Sequence, residues 1–298
     1  MSNAAAWVPY LVGTVLFYGL AQALTKQFMA NLSAAAFIVL YVLVKGVINT
    51  GAFFALGHAP LFDSAANTFI ALAVCGNLIN GFAWLFYYKA LESGKVSLVG
   101  SITAGYPALT VILAILFLHE HIVWYQALGI VMVIGSGVLV ALGPQEAGAD
   151  AGPPDRRWLV YSLLVFLGWG IFSAFIKGAF NAPHADTYTF FIWNAIGAAV
   201  ILGPYGFWGV RKEGGLGPTN EVLKALIPTA LFALGDLALF KAFEAGPATI
   251  VAPLSTVYPL VTLLYAAPVL KERISLTQWL AVMLLIAGIV VVSLPSGA

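Results

Sequence analysis

The sequence contains ten stretches of about 20 mostly apolar residues, separated by short polar or Gly/Pro-rich breaks. This pattern limits the possible folds of the chain more than any motif does. A helix needs about 20 such residues to cross the hydrocarbon core of a bilayer. Charged residues make up 8% of the 298 residues and hydrophobic residues 61%, whereas a soluble domain carries roughly 25% charged residues. We therefore predict an all-α, multi-pass membrane protein. Its ten transmembrane helices are expected at about 7–29, 34–57, 66–91, 96–118, 122–142, 158–180, 186–208, 222–244, 248–270 and 275–294.

The composition also excludes other classes of function. A net charge of +1 gives no basic surface for nucleic acid. The one cysteine, Cys75, excludes an internal disulfide framework, and its apolar surroundings predict a buried side chain. His119, Glu120 and His121 are metal-ligand types, but adjacent residues in a short loop point apart, so we expect no metal. We also expect no cofactor and no enzyme, because the spans contain neither a catalytic constellation nor a phosphate-binding loop.

The second half of the sequence repeats the first. Residues 88–139 and 240–291 share 16 identities in 52 positions without a gap. Each half contains five predicted spans, an odd number, so the second half must enter the membrane from the opposite face. Inverted repeats are typical of secondary transporters, which bind substrate near the midplane and work by alternating access. The predicted domains are a first repeat over 1–143, a linker over 144–157 and a second repeat over 158–298.

Three short motifs recur in both halves: Ala-x-x-x-Gly at the end of one span, Pro within the next, and Leu-x-Glu before the last. They resemble the EamA repeat of the drug/metabolite transporter superfamily. The resemblance implies a ten-helix permease with a central cavity between the repeats, which moves amino acids or other small metabolites, often outward. The Trp-Gly usual in the first span of a repeat is Trp169-Gly170 in the second copy but Tyr18-Gly19 in the first. The motif positions are Ala90, Gly94, Pro107, Leu118 and Glu120, then Ala242, Gly246, Pro259, Leu270 and Glu272.

The Lys and Arg residues are distributed unequally between the two faces of the predicted bundle. Of 13, nine lie at one face, Lys241 alone lies at the other, and Lys26, Lys45 and Lys177 lie within spans. Positive charge stays on the cytoplasmic side. We therefore predict that the 143–157 linker is cytoplasmic and both termini are outside, in the bacterial inner membrane. One chain contains the whole predicted pathway, so a functional monomer is expected, with lipid and a small-molecule substrate as partners.

Two charges fall near the middle of predicted spans, Lys45 in the second and Asp236 in the eighth. Ionisable groups inside the membrane are costly and mark functional sites. One interpretation places both in the substrate cavity, as a salt bridge or as a handle for a proton or a substrate. The alternatives are a static structural ion pair, or a Lys45 that extends to the membrane interface. An arginine common in the second span of the resembled family is absent here.

Polar and aromatic residues form stripes at helical spacing in several spans. Asn77, Asn80, Trp84 and Tyr88 are three or four residues apart and share one helix face. Amides beside aromatic rings suit a zwitterion or an amine, through hydrogen bonds and cation–π contacts. The alternative is ordinary helix packing. The other candidate cavity residues are Tyr18, Gln22, Tyr41, Asn49, Trp169, Trp193 and Asn194.

Two repeated pairs are candidates for moving parts. Lys26 and Lys177 lie in the last turns of the first and sixth spans. One interpretation makes them gates on opposite faces of the membrane; the other is that the helix dipole favours a cation at a helix C-terminus. Pro107 and Pro259 lie within the fourth and ninth spans, where we expect them to kink the helices, as pivots or as a curved cavity wall. Interfacial salt bridges are expected between residues three apart at two helix ends, Lys89 with Glu92 and Lys241 with Glu244.

The combined prediction is a secondary transporter that exports a small polar metabolite, with amino acids as the favoured class. No ATPase domain is evident, so an ion gradient such as protons, or the substrate's own gradient, would drive transport. The alternative is an importer of an organic cation such as choline, with Asp236 as the counter-charge. A channel is disfavoured because two inverted halves suit alternating access.

Overall fold

The computed structural model of the chain describes residues 6–28, 32–57, 60–93, 99, 102–142, 157–269 and 275–292. All regular structure within these ranges is helical, as predicted. The helices are α1 Val8–Phe28, α2 Ala34–Leu56, α3 Asn67–Ser93, α4 Tyr106–Phe117, α5 Trp124–Leu142, α6 Arg157–Phe180, α7 Thr187–Glu213, α8 Thr219–Ala245, α9 Ala248–Ser255, α10 Tyr258–Val269 and α11 Leu276–Val292.

Among the described residues, six helices are long and apolar enough to cross a membrane: α1, α2, α3, α6, α7 and α8. They correspond to the first three predicted spans and to the sixth, seventh and eighth. The other four predicted spans contain shorter apolar helices. The chain is therefore a multi-pass membrane protein, whereas the total of ten crossings stays a prediction.

The fourth and ninth predicted spans differ from expectation at their prolines. α9 ends at Ser255 and α10 begins at Tyr258, so Pro259 is the second residue of a new helix. Pro107 likewise follows Tyr106, the first residue of α4. The predicted kinks inside continuous helices are therefore wrong. A proline in the first turn removes no helical hydrogen bond, because the first N–H groups of a helix have no partner within it.

Local side chains fix the ends of the long helices. The Ser33 hydroxyl accepts a hydrogen bond from the Ala36 N–H at 3.1 Å and starts α2, and the Asp186 carboxylate accepts one from the Thr189 N–H at 2.6 Å and starts α7. Such side chains satisfy N–H groups that lack a helical partner. α7 ends at Glu213 and is followed by Gly214, whose φ of 86° is a left-handed conformation that glycine adopts without strain.

The chain folds into two compact units, each of which draws on both sequence repeats. Unit 1 comprises Met1–Phe82 and Phe175–Gly246, and unit 2 comprises Ala83–Ala174 and Pro247–Ala298. The unit boundaries lie inside α3 and α6. Within unit 1, α2 packs along α7 and α1 along α8; within unit 2, α5 packs along α11 and α4 along α9. The compact units are a division in space, and the repeat domains at 1–143 and 158–298 stay a prediction.

Helix α3 illustrates two kinds of surface in unit 1. It approaches α7 closely, since a Cβ added at Gly197 would lie 2.7 Å from the backbone oxygen of Asn77. Small residues permit such approaches between membrane helices. Cys75, on the same helix, is exposed rather than buried, which corrects the prediction. On a membrane helix an exposed thiol is unexceptional, because lipid accommodates a small apolar side chain as well as a protein interior does.

Candidate substrate site

Four side chains of unit 1 form a hydrogen-bonded group, the charged cluster: Tyr18, Tyr41, Lys45 and Asp236. The Lys45 ammonium donates to the Tyr41 hydroxyl at 2.8 Å and forms an ion pair with Oδ2 of Asp236. The Tyr18 hydroxyl donates to Oδ1 of the same carboxylate. Both carboxylate oxygens therefore have a donor, and the two charges neutralise each other.

Three helices hold the charged cluster together through simple local geometry. Tyr41 and Lys45 are one turn apart on α2, so their side chains share a face. Gly235, immediately before Asp236 on α8, leaves room for the ring of Tyr18 on α1: a Cβ added there would lie 2.4 Å from a ring carbon. Phe232, one turn earlier on α8, packs against Tyr18 and Tyr41 with ring centroids 6.1 and 6.2 Å away.

The two charges of the cluster are buried to different degrees. The Lys45 side chain is 1% exposed and that of Asp236 is 15% exposed. The alternative in which Lys45 extends to the membrane interface is therefore wrong. Removing two charges from water is costly, and the pairing offsets that cost only while both partners remain. Asp236 is the charged group of the cluster that another molecule can reach more easily.

A second polar group in unit 1 joins α2, α3 and α7, and we call it the amide cluster: Asn49, Asn77 and Asn194. The Asn194 amide donates to Oδ1 of Asn77 at 2.7 Å, and the Asn77 amide donates to the backbone oxygen of Ala73 at 2.8 Å. The Asn49 amide donates to the backbone oxygen of Phe191 at 2.6 Å. All three asparagines are buried, and the bonds from Asn194 and Asn49 cross between helices, so these two fix the contacts of α7 with α3 and α2.

The amide cluster and Trp193, which precedes Asn194 in sequence, also have hydrogen-bonding atoms without a partner among the described residues. In the described part of the chain, the side-chain oxygens of Asn49 and Asn194 are buried without a hydrogen-bond partner, and so is the indole N–H of Trp193. Buried polar atoms are nearly always partnered in folded proteins. Two acceptors and a donor are therefore available to a water molecule or to a polar group of a substrate. Asn80, on α3, is buried as well.

Unit 2 contains an aromatic cluster around Trp169: Trp84, Tyr87, Tyr88, Tyr106 and Trp169. The ring centroid of Trp169 lies 5.3 Å from those of Trp84 and Tyr87 and 5.8 Å from that of Tyr106. Trp84 and Tyr88 are 6.0 Å apart. Several of these pairs are edge-to-face, the arrangement that aromatic rings favour. Rings of this kind also attract cations.

The structure groups the sequence candidates differently from the predicted stripes. Tyr18, Lys45 and Asp236 meet in the charged cluster, although they lie on three helices. The predicted stripe of α3 is divided, since Asn77 and Asn80 belong to unit 1 and Trp84 and Tyr88 belong to unit 2. Four contributors were missed in the sequence: Phe232 and Gly235 in unit 1, and Tyr87 and Tyr106 in unit 2. A glycine directly before an intramembrane aspartate was an available signal for a closely packed ring.

The candidate gate residues make capping contacts where they are described. The Lys177 ammonium donates to the backbone oxygen of Phe243 at 3.1 Å. That oxygen belongs to the last turn of α8, so Lys177 caps the C-terminus of a neighbouring helix. The side chain of Lys26 lies outside the described residues. The expected interfacial ion pair between Lys241 and Glu244 is present at 2.9 Å, whereas the side chain of Glu92 lies outside the described residues.

The glutamate of the Leu-x-Glu motif has a structural contact in unit 2. The Glu120 carboxylate accepts hydrogen bonds from the N–H groups of Ala248 and Thr249, both at 2.8 Å. These N–H groups open α9 and have no partner within it. Glu120 therefore caps a helix that is distant in sequence. Its repeat counterpart, Glu272, lies outside the described residues.

The long apolar helices enclose a buried ion pair and buried amides. A membrane protein with polar and charged groups in its interior is typical of transporters. The chain belongs to the EamA-like transporter family, whose model matches residues 5–142 and again residues 156–294. The two matches confirm the resemblance and the two-repeat architecture. Membership of the drug/metabolite transporter superfamily follows from this family.

The proteins that resemble the chain include one curated relative and one solved structure. An uncharacterized protein of Methanocaldococcus jannaschii is 37% identical over 70 residues, which are 24% of this chain and 51% of that protein. The chain thus spans about half the length of that relative. The crystal structure of another protein superposes on this chain with a TM-score of 0.77 at 16% identity, and the match covers 98% of each chain. At this identity the likeness concerns the fold alone.

Proposed function

We propose that the protein is a secondary transporter that exports amino acids by alternating access of two inverted five-helix repeats. The observation that carries the proposal is the charged cluster. A buried Lys–Asp pair is weak as a source of stability, because hydrophobic residues of similar size often serve as well or better. An intramembrane pair is therefore better explained by a task in transport.

A zwitterion matches the charged cluster because it carries both charges. Its ammonium group can replace Lys45 as the partner of Asp236, while its carboxylate accepts from Lys45 and from the Tyr41 hydroxyl. Each buried charge then keeps an opposite charge beside it throughout the exchange. Substrate release restores the original ion pair. Binding of this kind leaves the net charge of the site unchanged.

The proposed substrate path includes residues beyond the charged cluster. The unused atoms of the amide cluster support a polar contact with the substrate or with water that accompanies it. Trp84, Trp169 and Asn80 are proposed wall residues. Further proposed residues are Lys26 and Lys177 as gates, Pro107 and Pro259 as hinges at helix starts, and Trp193 as a wall residue.

An organic cation such as choline, taken up rather than exported, is the second candidate substrate. Two observations within unit 1 favour it: Asp236 is more exposed than Lys45, and the charged cluster includes the aromatic rings of Tyr18 and Tyr41, against which Phe232 packs. A quaternary ammonium group binds to aromatic faces and to a carboxylate. It has no carboxylate of its own, so it would leave Lys45 without a partner when it binds Asp236. That imbalance favours the zwitterion.

Reconstitution into liposomes tests the substrate class directly. Counterflow of labelled amino acids, with choline as the competing substrate, should show amino-acid exchange in the wild-type protein. Asp236→Asn and Lys45→Met should each reduce that exchange at least tenfold, whereas Lys224→Met, which breaks an ion pair at the start of α8, should leave it within twofold. Full amino-acid exchange in both cluster variants would contradict the proposed site.

Proton coupling is separable from binding in the same liposomes. The competing role, in which Asp236 carries the proton and does not bind the substrate, predicts instead that Asp236→Asn abolishes accumulation driven by a pH gradient and keeps counterflow exchange. Equal loss of both activities assigns Asp236 to substrate binding or to structure instead.

The proposed orientation has both termini outside and residues 143–157 in the cytoplasm of an inner-membrane monomer. A single cysteine placed in that linker, in a Cys75→Ala background, should resist an impermeant thiol reagent in intact cells. Rapid labelling would reverse the orientation. A cysteine at the N-terminus is the matched control and should react quickly.

A further inference from the structure

One face of α7 is exposed along much of its length and ends in two cations. Its residues follow helical spacing, and we call them the outer stripe: Val200, Pro204, Phe207, Trp208, Arg211 and Lys212. The first four are apolar, and Trp208 is 64% exposed. On a helix that crosses a membrane, an exposed apolar face contacts lipid chains. The two cations then lie beside lipid headgroups, at the end of that face.

The basic end of the outer stripe forms an open cleft. Trp208, Arg211 and Lys212 line a cavity of about 400 Å³. The Lys212 ammonium lies 5.5 Å from the ring centroid of Trp208. Neither Arg211 nor Lys212 forms an ion pair with a described carboxylate, and adjacent Glu213 is hydrogen-bonded to the Ser33 hydroxyl. The cleft therefore carries two positive charges that no described acidic side chain neutralises.

Lys241, elsewhere in unit 1, is a comparable lysine whose charge is neutralised by a carboxylate. Lys241 also lies over an aromatic ring, that of Tyr188, at 5.0 Å from its centroid. It is paired with Glu244 at 2.9 Å. The Lys212 site has the same cation–ring contact without the carboxylate. An anion from outside the protein can therefore bind beside Lys212, at the position equivalent to that of Glu244 beside Lys241.

We propose that the outer stripe binds an anionic phospholipid, whose phosphate contacts Arg211 and Lys212 and whose acyl chain lies along Val200 and Phe207. Arginine presents paired donors to phosphate oxygens, and tryptophan is enriched at the level of the headgroups. Basic residues at the end of a transmembrane helix attract anionic lipids. The apolar face directly below the cations favours a lipid over a soluble anion. This inference is independent of the proposed substrate.

Native mass spectrometry of the delipidated full chain in detergent tests the proposal. The probes are palmitoyl-oleoyl phosphatidylglycerol and phosphatidylcholine with the same chains. We expect the anionic lipid to bind at least tenfold more tightly. Each cation contributes about fivefold by the usual attraction of a basic residue to an anionic surface, so Arg211→Gln combined with Lys212→Gln should reduce the preference to within twofold. Lys241→Gln, the matched control, should keep it.

Two further measurements distinguish a bound lipid from a soluble anion. Trp208→Leu keeps an apolar side chain and should weaken binding of both lipids by a similar few-fold factor. A large excess of glycerol 3-phosphate should not displace the anionic lipid, and displacement would assign the cleft to a soluble anion and overturn the proposal. An unchanged lipid preference in the folded double variant, with a wild-type melting curve, would also overturn it.

Discussion

The charged cluster of unit 1 and the aromatic cluster of unit 2 occupy equivalent positions of the sequence repeat. An offset of 152 aligns Trp84 with Asp236, and an offset of 151 aligns Tyr18 with Trp169. Each unit makes the equivalent contact between its own two members: Tyr18 with Asp236 in unit 1, and Trp169 with Trp84 in unit 2. The Tyr18 hydroxyl donates to Asp236, and the rings of Trp84 and Trp169 lie 5.3 Å apart. The repeat has therefore kept a contact while the chemistry of its two members has diverged.

The difference between the clusters indicates how a duplicated membrane fold can divide its tasks. Rings pack without cost in a low-dielectric interior and tolerate small changes in position. A carboxylate in the same place requires a cation and a hydrogen-bond donor, which Lys45 and Tyr18 supply. The aromatic cluster thus suits recognition of a ligand by its shape and by cation–π contacts, and the charged cluster suits recognition of a ligand by its charge. Four predictions test this contrast, in order of decreasing effect.

Removing one charge from unit 1 should have the largest effect. Lys45→Met leaves Asp236 without a cation, and Asp236→Asn leaves a buried ammonium. Each should lower the free energy of unfolding by about 3–5 kcal/mol, measured by denaturation in detergent. The double variant should recover most of that loss but not transport. A double variant as unstable as the sum of the single ones would contradict the pairing, and Lys224→Met, in a more exposed ion pair, should cost less than about 1 kcal/mol.

Truncating the aromatic cluster should destabilise the protein through lost packing. Trp169→Ala removes the ring that contacts three others and should cost about 3 kcal/mol. Trp169→Phe keeps an aromatic ring and should cost less than half as much. Thermal unfolding in detergent measures both. Equal losses in the two variants would show that the ring contacts are not what stabilises this part of unit 2.

The close approach of Tyr18 to α8 should make Gly235 intolerant of a methyl group. Gly235→Ala places a Cβ about where the Tyr18 ring lies and should cost roughly 1–3 kcal/mol through displacement of the ring from Asp236. Gly203→Ala is the matched control, because nothing lies within 4 Å of its added Cβ. The control should be neutral or slightly stabilising. A neutral Gly235→Ala would argue against the Tyr18–Asp236 contact.

Removing a single hydroxyl from the charged cluster should have the smallest effect. Tyr18→Phe deletes one donor to Asp236 and keeps the ring, so it should cost roughly 1–2 kcal/mol, as for a hydrogen bond to a charged group. Amino-acid counterflow should fall several-fold, because the carboxylate is less well oriented. Tyr10→Phe, on the same helix, is the control and should change neither measurement. Wild-type transport in Tyr18→Phe would assign Tyr18 to packing alone.

Predictions from local sequence succeeded where the cause is local. The starts of α2 and α7 agree with the predicted spans to within one residue, because the capping residues Ser33 and Asp186 act within three residues of themselves. The i, i+3 pair of Lys241 and Glu244 was predictable for the same reason. The predictions failed at Pro107 and Pro259, because helical periodicity does not reveal that the helix restarts at the preceding tyrosine.

The sequence by itself determined the class of protein, the repeat and the family, because apolar length, composition and motif spacing are properties of the chain. It also identified Lys45, Asp236, Tyr18 and the asparagines as costly to bury. Only the tertiary structure decided which of them meet. Lys45 and Asp236 are 191 residues apart, and Asn77 and Asn194 are 117 apart. Such pairs depend on how whole helices pack, and buried polar groups select those packings because every unpaired one is costly.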